Sequence, residues 1–138
     1  MTHPTDPSTT VALVGAGPGD PELLTLAAEA ALAHAHAVVT DPACTDLARA
    51  FAPQAELLVA EGVDHVRAAL LGSVQAEHRV VRLYAGDPWL HPAHAAEVAA
   101  LVQAGVAHTT VPGVVPELAE AAATSTPIRG TTWRLGRG

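Results

Sequence analysis

The sequence contains no lysine, and its only basic side chains apart from histidine are seven arginines, three of them within residues 129–138. Against these stand 14 acidic residues, which give a formal net charge of −7 at pH 7. A protein that binds nucleic acid needs a basic surface for the phosphates, so this balance argues against a nucleic-acid partner. The absence of lysine also excludes a phosphate-binding loop whose lysine follows the glycines.

Long apolar runs and cysteines are equally scarce. No stretch of about 18 apolar residues occurs, so the sequence predicts no membrane span. Residues 1–10 lack the basic and then apolar pattern of a signal peptide, and we expect them to form a disordered lead. Cys44 is the only cysteine of the 138 residues. A single cysteine excludes an internal disulfide and fits a reducing compartment, so we expect a cytoplasmic protein.

Five short apolar segments alternate with longer helix-like segments. The predicted strands are 11–14, 37–40, 57–60, 80–84 and 107–111, and the predicted helices lie near 21–33, 43–51, 63–75, 92–104 and 114–123. Such alternation is typical of βαβ units with a parallel sheet. We therefore predict an α/β domain over residues 11–128, with three layers and a mostly parallel five-stranded sheet, and an irregular tail over 129–138.

Three glycine-containing loops follow predicted strands, where open parallel sheets bind their ligands. They read GAGPGDP over 15–21, AGDP over 85–88 and PG over 112–113. The glycine spacing does not fit the dinucleotide fingerprint, and an aspartate followed by proline is unsuited to phosphate. Asp20 and Asp87 suit helix N-caps, each with proline next, but capping does not account for so many glycines. They indicate backbone close to a ligand, and S-adenosylmethionine, with a sulfonium and ribose hydroxyls, suits a loop that carries a carboxylate.

Three segments in order resemble motifs of the tetrapyrrole methylase family, which includes uroporphyrinogen-III C-methyltransferase and the precorrin methyltransferases. The segments are GAGPGDPELLTL (15–26), VVRLYAGDPW (80–89) and TVPGVVPELAEAAATSTPI (110–128). The resemblance implies an S-adenosylmethionine-dependent C-methyltransferase of sirohaem or cobalamin synthesis, with its cleft between two α/β domains and a homodimeric assembly. It implies cofactor-binding roles for Gly15, Gly17, Pro18, Gly19, Asp20, Pro21, Gly86, Asp87, Pro88 and Gly113.

Asp41 is the candidate catalytic residue. It follows the second predicted strand and matches the aspartate of a YDRLV-like stretch that the resemblance implies to be the base. The alternative is an N-cap, because Pro42 comes next. No metal site is expected, since His91, His94 and Glu97 have the spacing of one helical face but lack a further strong ligand.

The sequence also departs from the family pattern. Glu61 stands where a basic residue is expected, Ala93 replaces an arginine, and the second family domain is absent from these residues. With so few cations for an acidic tetrapyrrole, we expect the chain to form half of an active unit and to bind the cofactor weakly alone. The other half would come from a homodimer or from a partner chain. The alternatives are a non-catalytic interaction module with this fold and a fragment without a function.

Overall fold

A computed structural model of the chain describes residues 11–75 and 77–125. The predicted lead, the predicted tail and residues 126–128 of the third motif lie outside the described residues. The strands are β1 (Val11–Gly15), β2 (Ala37–Thr40), β3 (Glu56–Val59), β4 (Val80–Tyr84) and β5 (His108–Val111). The α-helices are α1 (Leu26–Ala33), α2 (Thr45–Phe51), α3 (Val63–Ser73), α4 (His94–Gln103) and α5 (Pro116–Thr124).

The five strands form one sheet in the order β3-β2-β4-β1-β5, and every strand pair is parallel. This confirms the predicted parallel sheet. The chain leaves β1 towards β2 on one side and leaves β4 towards β5 on the other. The switch point of the topology therefore lies between β1 and β4, and open sheets of this type bind ligands in the crevice at the carboxyl end of such strands.

Helices cover both faces of the sheet, which confirms the three predicted layers. Successive strand residues point to opposite faces. Side chains such as Val14 and Leu83 pack with Leu32 of α1 and Leu47 of α2 in one apolar core. Those on the other face pack with Val66 and Leu70 of α3 and Leu101 of α4 in a second core. None of the described helices is long and apolar enough to cross a membrane.

The predicted start of the first helix is wrong, because Pro21 begins a single-turn 3-10 helix, whereas the other four helices start within two residues of their predicted positions. Pro21–Leu23 is such a turn, and Asp20 caps it by accepting the Glu22 N–H at 2.9 Å. Leu24 then adopts an extended conformation, and Thr25 caps α1 through its hydroxyl, which accepts the Ala28 N–H at 3.1 Å. Pro42–Cys44 likewise precedes α2 as a separate turn.

Candidate functional site

The three glycine loops meet at the carboxyl edge of the sheet, above the switch point. Gly17 and Gly86 exchange two backbone hydrogen bonds, with N to O distances of 3.1 Å and 2.9 Å. The Gly113 N–H donates to the Asp87 carboxylate at 3.2 Å. The loops after β1, β4 and β5 therefore form one hydrogen-bonded unit, although they are far apart in sequence.

The glycines are required by the way these loops pack on each other. A Cβ atom on Gly113 would lie 2.3 Å from the Gly86 carbonyl oxygen, and one on Gly15 would lie 2.6 Å from the same atom. Gly17 and Gly86 have φ angles of +71° and +73°, which other residues rarely adopt. At Gly15 and Gly113 the close approach of backbone that the many glycines indicated is thus between the loops themselves, and a contact of these two residues with the cofactor stays a prediction.

The part of the first loop that faces outward is the turn over residues 18–21. All four of its residues, Pro18, Gly19, Asp20 and Pro21, are exposed. A Cβ atom on Gly19 would meet nothing within 4 Å. The turn thus borders open space beside the crevice, where a ligand has room to lie against the backbone.

Asp87 does not cap the turn that follows it, so its predicted capping role is wrong. Its carboxylate instead reaches across to the Gly113 N–H of the loop after β5. Pro88 is buried at the start of that turn. The second Gly-Asp-Pro element therefore joins loops, whereas the first, at Asp20, caps a local turn.

Asp41 lies at the end of β2, and its carboxylate is bound on both oxygens. Oδ1 lies 3.0 Å from Nη1 of Arg82. Oδ2 accepts the Ala85 N–H at 3.1 Å and lies 3.1 Å from Nε2 of His91. The side chain makes no capping hydrogen bond to the turn that follows, so the N-cap interpretation of Asp41 is wrong. Its catalytic role stays a prediction.

Arg82, which contacts Asp41, belongs to a buried ion pair with Glu97. Arg82 of β4 and Glu97 of α4 are only 1% and 2% exposed. The guanidinium binds both Glu97 oxygens, Nε to Oε1 at 2.5 Å and Nη2 to Oε2 at 3.3 Å. The Tyr84 hydroxyl donates to Glu97 at 3.0 Å, and its ring centre lies 4.3 Å from the guanidinium carbon.

Sequence reasoning missed Arg82, and it considered Glu97 only as a metal ligand. The sequence did contain an indication of this ion pair. Arg82 lies inside an apolar segment that was predicted to be a strand covered by helices on both faces. A charge there requires a buried partner. The identity of that partner depends on how α4 packs on β4, which the sequence pattern does not specify.

The surroundings of this cluster shift the pKa values of its neighbours. Burial alone would lower the pKa of Arg82, but its hydrogen bond to Glu97 and the nearby carboxylates outweigh burial and raise it. Burial lowers the pKa of His94, against the opposing charges of Glu97 and Asp87, so that this imidazole is neutral at pH 7. Burial, and then the charge of Asp41, raises the pKa of Cys44 to about 11. Cys44 is therefore an unreactive thiol at neutral pH.

No metal centre is evident in the part of the chain that the structure describes. No group of three or more histidine, cysteine, aspartate or glutamate side chains there has an arrangement that could hold an ion. Glu97, which shares helical spacing with His91 and His94, is engaged by Arg82 and Tyr84 instead.

Comparison with known proteins places this sheet and its glycine loops in one family. The family model described as tetrapyrrole (corrin/porphyrin) methylases matches residues 10–132. The chain therefore belongs to the tetrapyrrole methylase family, and the resemblance of its three motifs is confirmed.

The similar curated proteins are methylases and sirohaem synthases. The chain is 34% identical over 127 residues to uroporphyrinogen-III C-methyltransferase of Synechococcus elongatus, covering 86% of this chain and 52% of that protein. It is 40% identical over 114 residues to sirohaem synthase of Gluconobacter oxydans, covering 74% of this chain and 24% of that protein. The chain thus spans about half of the first relative's length and about a quarter of the second's.

Solved structures show the same fold. Uroporphyrin-III C-methyltransferase of Thermus thermophilus, complexed with S-adenosyl homocysteine, aligns with a TM-score of 0.72 and 38% identity, over 88% of this chain and 51% of that one. A cobalt precorrin-4 methyltransferase aligns with a TM-score of 0.75 and 30% identity, over 86% of this chain and 51% of that one.

Proposed function

We propose that the chain forms the N-terminal half of an S-adenosylmethionine-dependent C-methyltransferase of the uroporphyrinogen-III type. The observation that carries the proposal is the joined unit of three loops at the switch point, with Gly17 bonded to Gly86 and Asp87 to Gly113. A relative that is 38% identical over this region is complexed with S-adenosyl homocysteine.

The residues present fit such a cofactor. The exposed turn over 18–21 leaves open space beside the crevice, and its Asp20 carboxylate bears a charge complementary to a cationic ligand. Bound there, S-adenosylmethionine would supply a methyl group on a sulfonium, which is already a good leaving group. The chain's own task is then to hold the donor and the acceptor carbon in line and to accept the proton that the macrocycle loses. Asp41, at the end of β2 and part-exposed, is the residue that we assign to that proton.

Two basic side chains described at this edge of the sheet, those of Arg82 and His94, offer no free cation to the acidic substrate. Arg82 lies there, but it is buried and committed to Glu97 and Asp41. His94 is neutral at pH 7 because burial lowers its pKa. We therefore assign the recognition of the tetrapyrrole carboxylates to residues outside the described ranges or to a second subunit.

An exposed apolar rim supports a covering partner. Six of the seven large exposed apolar side chains of the described residues lie in segments at the carboxyl edge, namely Leu26, Val59, Val63, Trp89, Leu90 and Leu118. Exposed large apolar side chains that concentrate along one edge of a sheet favour an interaction site at that edge. We infer that a second α/β domain closes the cleft over this rim.

Calorimetric titration of the 138-residue chain with S-adenosylhomocysteine tests the cofactor site. We expect binding with a dissociation constant of about 1 mM, because one wall of the cleft is present. Pro18→Trp places a bulky side chain on the exposed turn and should abolish this binding. Pro53→Trp is the matched control, since Pro53 is an exposed proline in the turn between α2 and β3, at the opposite edge of the sheet.

No heat at several times that ligand concentration, or binding that survives Pro18→Trp, would contradict the proposed cofactor site. Transfer of a methyl group to uroporphyrinogen-III is assayed separately, with the oligomeric state measured in the same sample. Cofactor binding without transfer, in a sample that is a dimer, would favour the alternative of a non-catalytic module.

A further inference from the structure

We propose that Arg82 is a positioning residue, which holds the Asp41 carboxylate at the carboxyl edge while Glu97 and Tyr84 fix the guanidinium from behind. The proposal rests on the proposed function in one respect, namely that Asp41 is the group that faces the substrate. The holding of Asp41 by Arg82 is a separate physical claim about the folded chain.

The register of the sheet brings the two residues together. β2 pairs with β4 so that Thr40 lies beside Leu83, and the Asp41 N–H donates to the Leu83 carbonyl at 3.1 Å. Nη1 of Arg82 donates to the same carbonyl at 2.9 Å and lies 3.0 Å from Asp41 Oδ1. One guanidinium nitrogen therefore ties the end of β4 to the aspartate that follows β2.

The remaining contacts of the guanidinium fix its orientation, so that it cannot rotate away from Asp41. Its Nε and Nη2 form a two-point contact with Glu97 of α4, a geometry that fixes orientation as well as distance. The Tyr84 ring lies against the guanidinium, and the Tyr84 hydroxyl holds Glu97 from the other side. The Asp41 side chain is only 16% exposed, so its Oδ1 depends on this fixed guanidinium rather than on water.

The other side chain that could hold Asp41 is that of His91. Its Nδ1 accepts the Ala93 N–H at 3.1 Å, so in the neutral ring the proton lies on Nε2 and points to Asp41 Oδ2. His91 belongs to the segment between the turn Pro88–Leu90 and α4, and it is part-exposed. Arg82 is buried and bound on three sides, which makes it the more rigid support.

The Ala85 amide reports on Asp41, because its N–H donates to Asp41 Oδ2 at 3.1 Å. Hydrogen exchange of this amide is measured by NMR on the full chain, with Asp41→Ala as the reference for complete loss of the contact. The double variant Arg82→Met/Glu97→Met removes the whole buried pair, a change that proteins often tolerate when the volume is kept. In this double variant we expect the exchange rate of the Ala85 amide to rise by at least about tenfold, close to its rate in Asp41→Ala. The Val81 amide, within β4, should keep its protection.

Three further variants show which contact is responsible for the protection of the Ala85 amide. Arg82→Lys keeps the cation but not the two-point contact, so we expect Ala85 exchange between the wild-type rate and that of Asp41→Ala. His91→Ala and Tyr84→Phe leave the Arg82 contact in place and should change the Ala85 rate by less than about threefold. Where methyl transfer is measurable, Arg82→Lys should lower kcat and leave the KM for S-adenosylmethionine unchanged.

A wild-type Ala85 rate in the folded double variant, with a raised rate in Asp41→Ala, would overturn the proposal. If the double variant does not fold, a wild-type rate in Arg82→Lys would overturn it, and so would a full loss of protection in His91→Ala. The exchange experiment needs no bound cofactor. If the Ala85 exchange rate rises in the Arg82 variants but the wild-type chain does not bind S-adenosylhomocysteine, the positioning role stands and the proposed function is refuted.

Discussion

The turns at the two edges of the sheet are completed by different kinds of groups. At the amino edge, turns are completed by amide and imidazole side chains. Gln54 donates from Nε2 to the carbonyls of Leu32, Ala33 and Ala35 at 2.9 to 3.2 Å, which closes the end of α1. His36 accepts the Arg79 N–H at 2.9 Å and stacks on His78 with a ring separation of 4.8 Å.

The carboxyl edge instead uses buried charges and glycines that cannot be replaced without a clash. Arg82 and Glu97 lie beneath Asp41, and the Gly86 carbonyl oxygen lies too close to the positions of Cβ atoms on Gly15 and Gly113 for any side chain there. Taking two charges out of water is expensive, and the pair often adds little net stability. The amino edge shows that this fold completes its turns without such costs. The difference therefore indicates that the carboxyl edge is shaped for a task other than stability.

Among variants at the two edges, we expect Gly113→Ala to lower the free energy of unfolding most. Its Cβ would lie 2.3 Å from a backbone oxygen, so the loops must separate, at a cost of about 1–3 kcal/mol in the free energy of unfolding. Gly72→Ala is the control, because a Cβ atom added to this residue of α3 would meet nothing within 4 Å, and alanine there should stabilise by about 0.5–1 kcal/mol. Urea denaturation measures both. Equal stability of the two variants would show that the loops are not packed as described.

A smaller effect is expected from Gln54→Ala at the amino edge. The variant loses the side-chain donor to the end of α1, and the freed carbonyls are partly open to water, so the loss should be about 1 kcal/mol. Binding of S-adenosylhomocysteine should be unchanged, as judged by titration beside the wild-type chain. A marked loss of affinity in this variant would mean that the two edges are not independent.

Much of the fold could be predicted from the sequence. All five strands were predicted to within one residue at each end, because apolar β-branched segments and alternation carry that information. The start of the first helix could not be predicted, since a proline after an aspartate, as at Pro21, suits a 3-10 turn as well as an α-helix.

The site was predicted only in part. The glycine loops were found by their composition, but their contacts join segments distant in sequence, such as Gly15, Gly86 and Gly113. The support of Asp41 by Arg82 depends on the register of β2 on β4 and on the packing of α4, which local patterns do not contain. Asp87 illustrates the same limit, because its partner Gly113 lies on another strand's loop.

Mapping of S-adenosylhomocysteine binding on the 15N-labelled chain tests the central claim most directly. The account predicts that amide resonances at the carboxyl edge, those of Gly17, Gly19 and Gly86, shift progressively with ligand, whereas those of Gln54 and Arg79 at the amino edge do not. Shifts confined to the amino edge, or none at any residue with ligand well above about 1 mM, would contradict it.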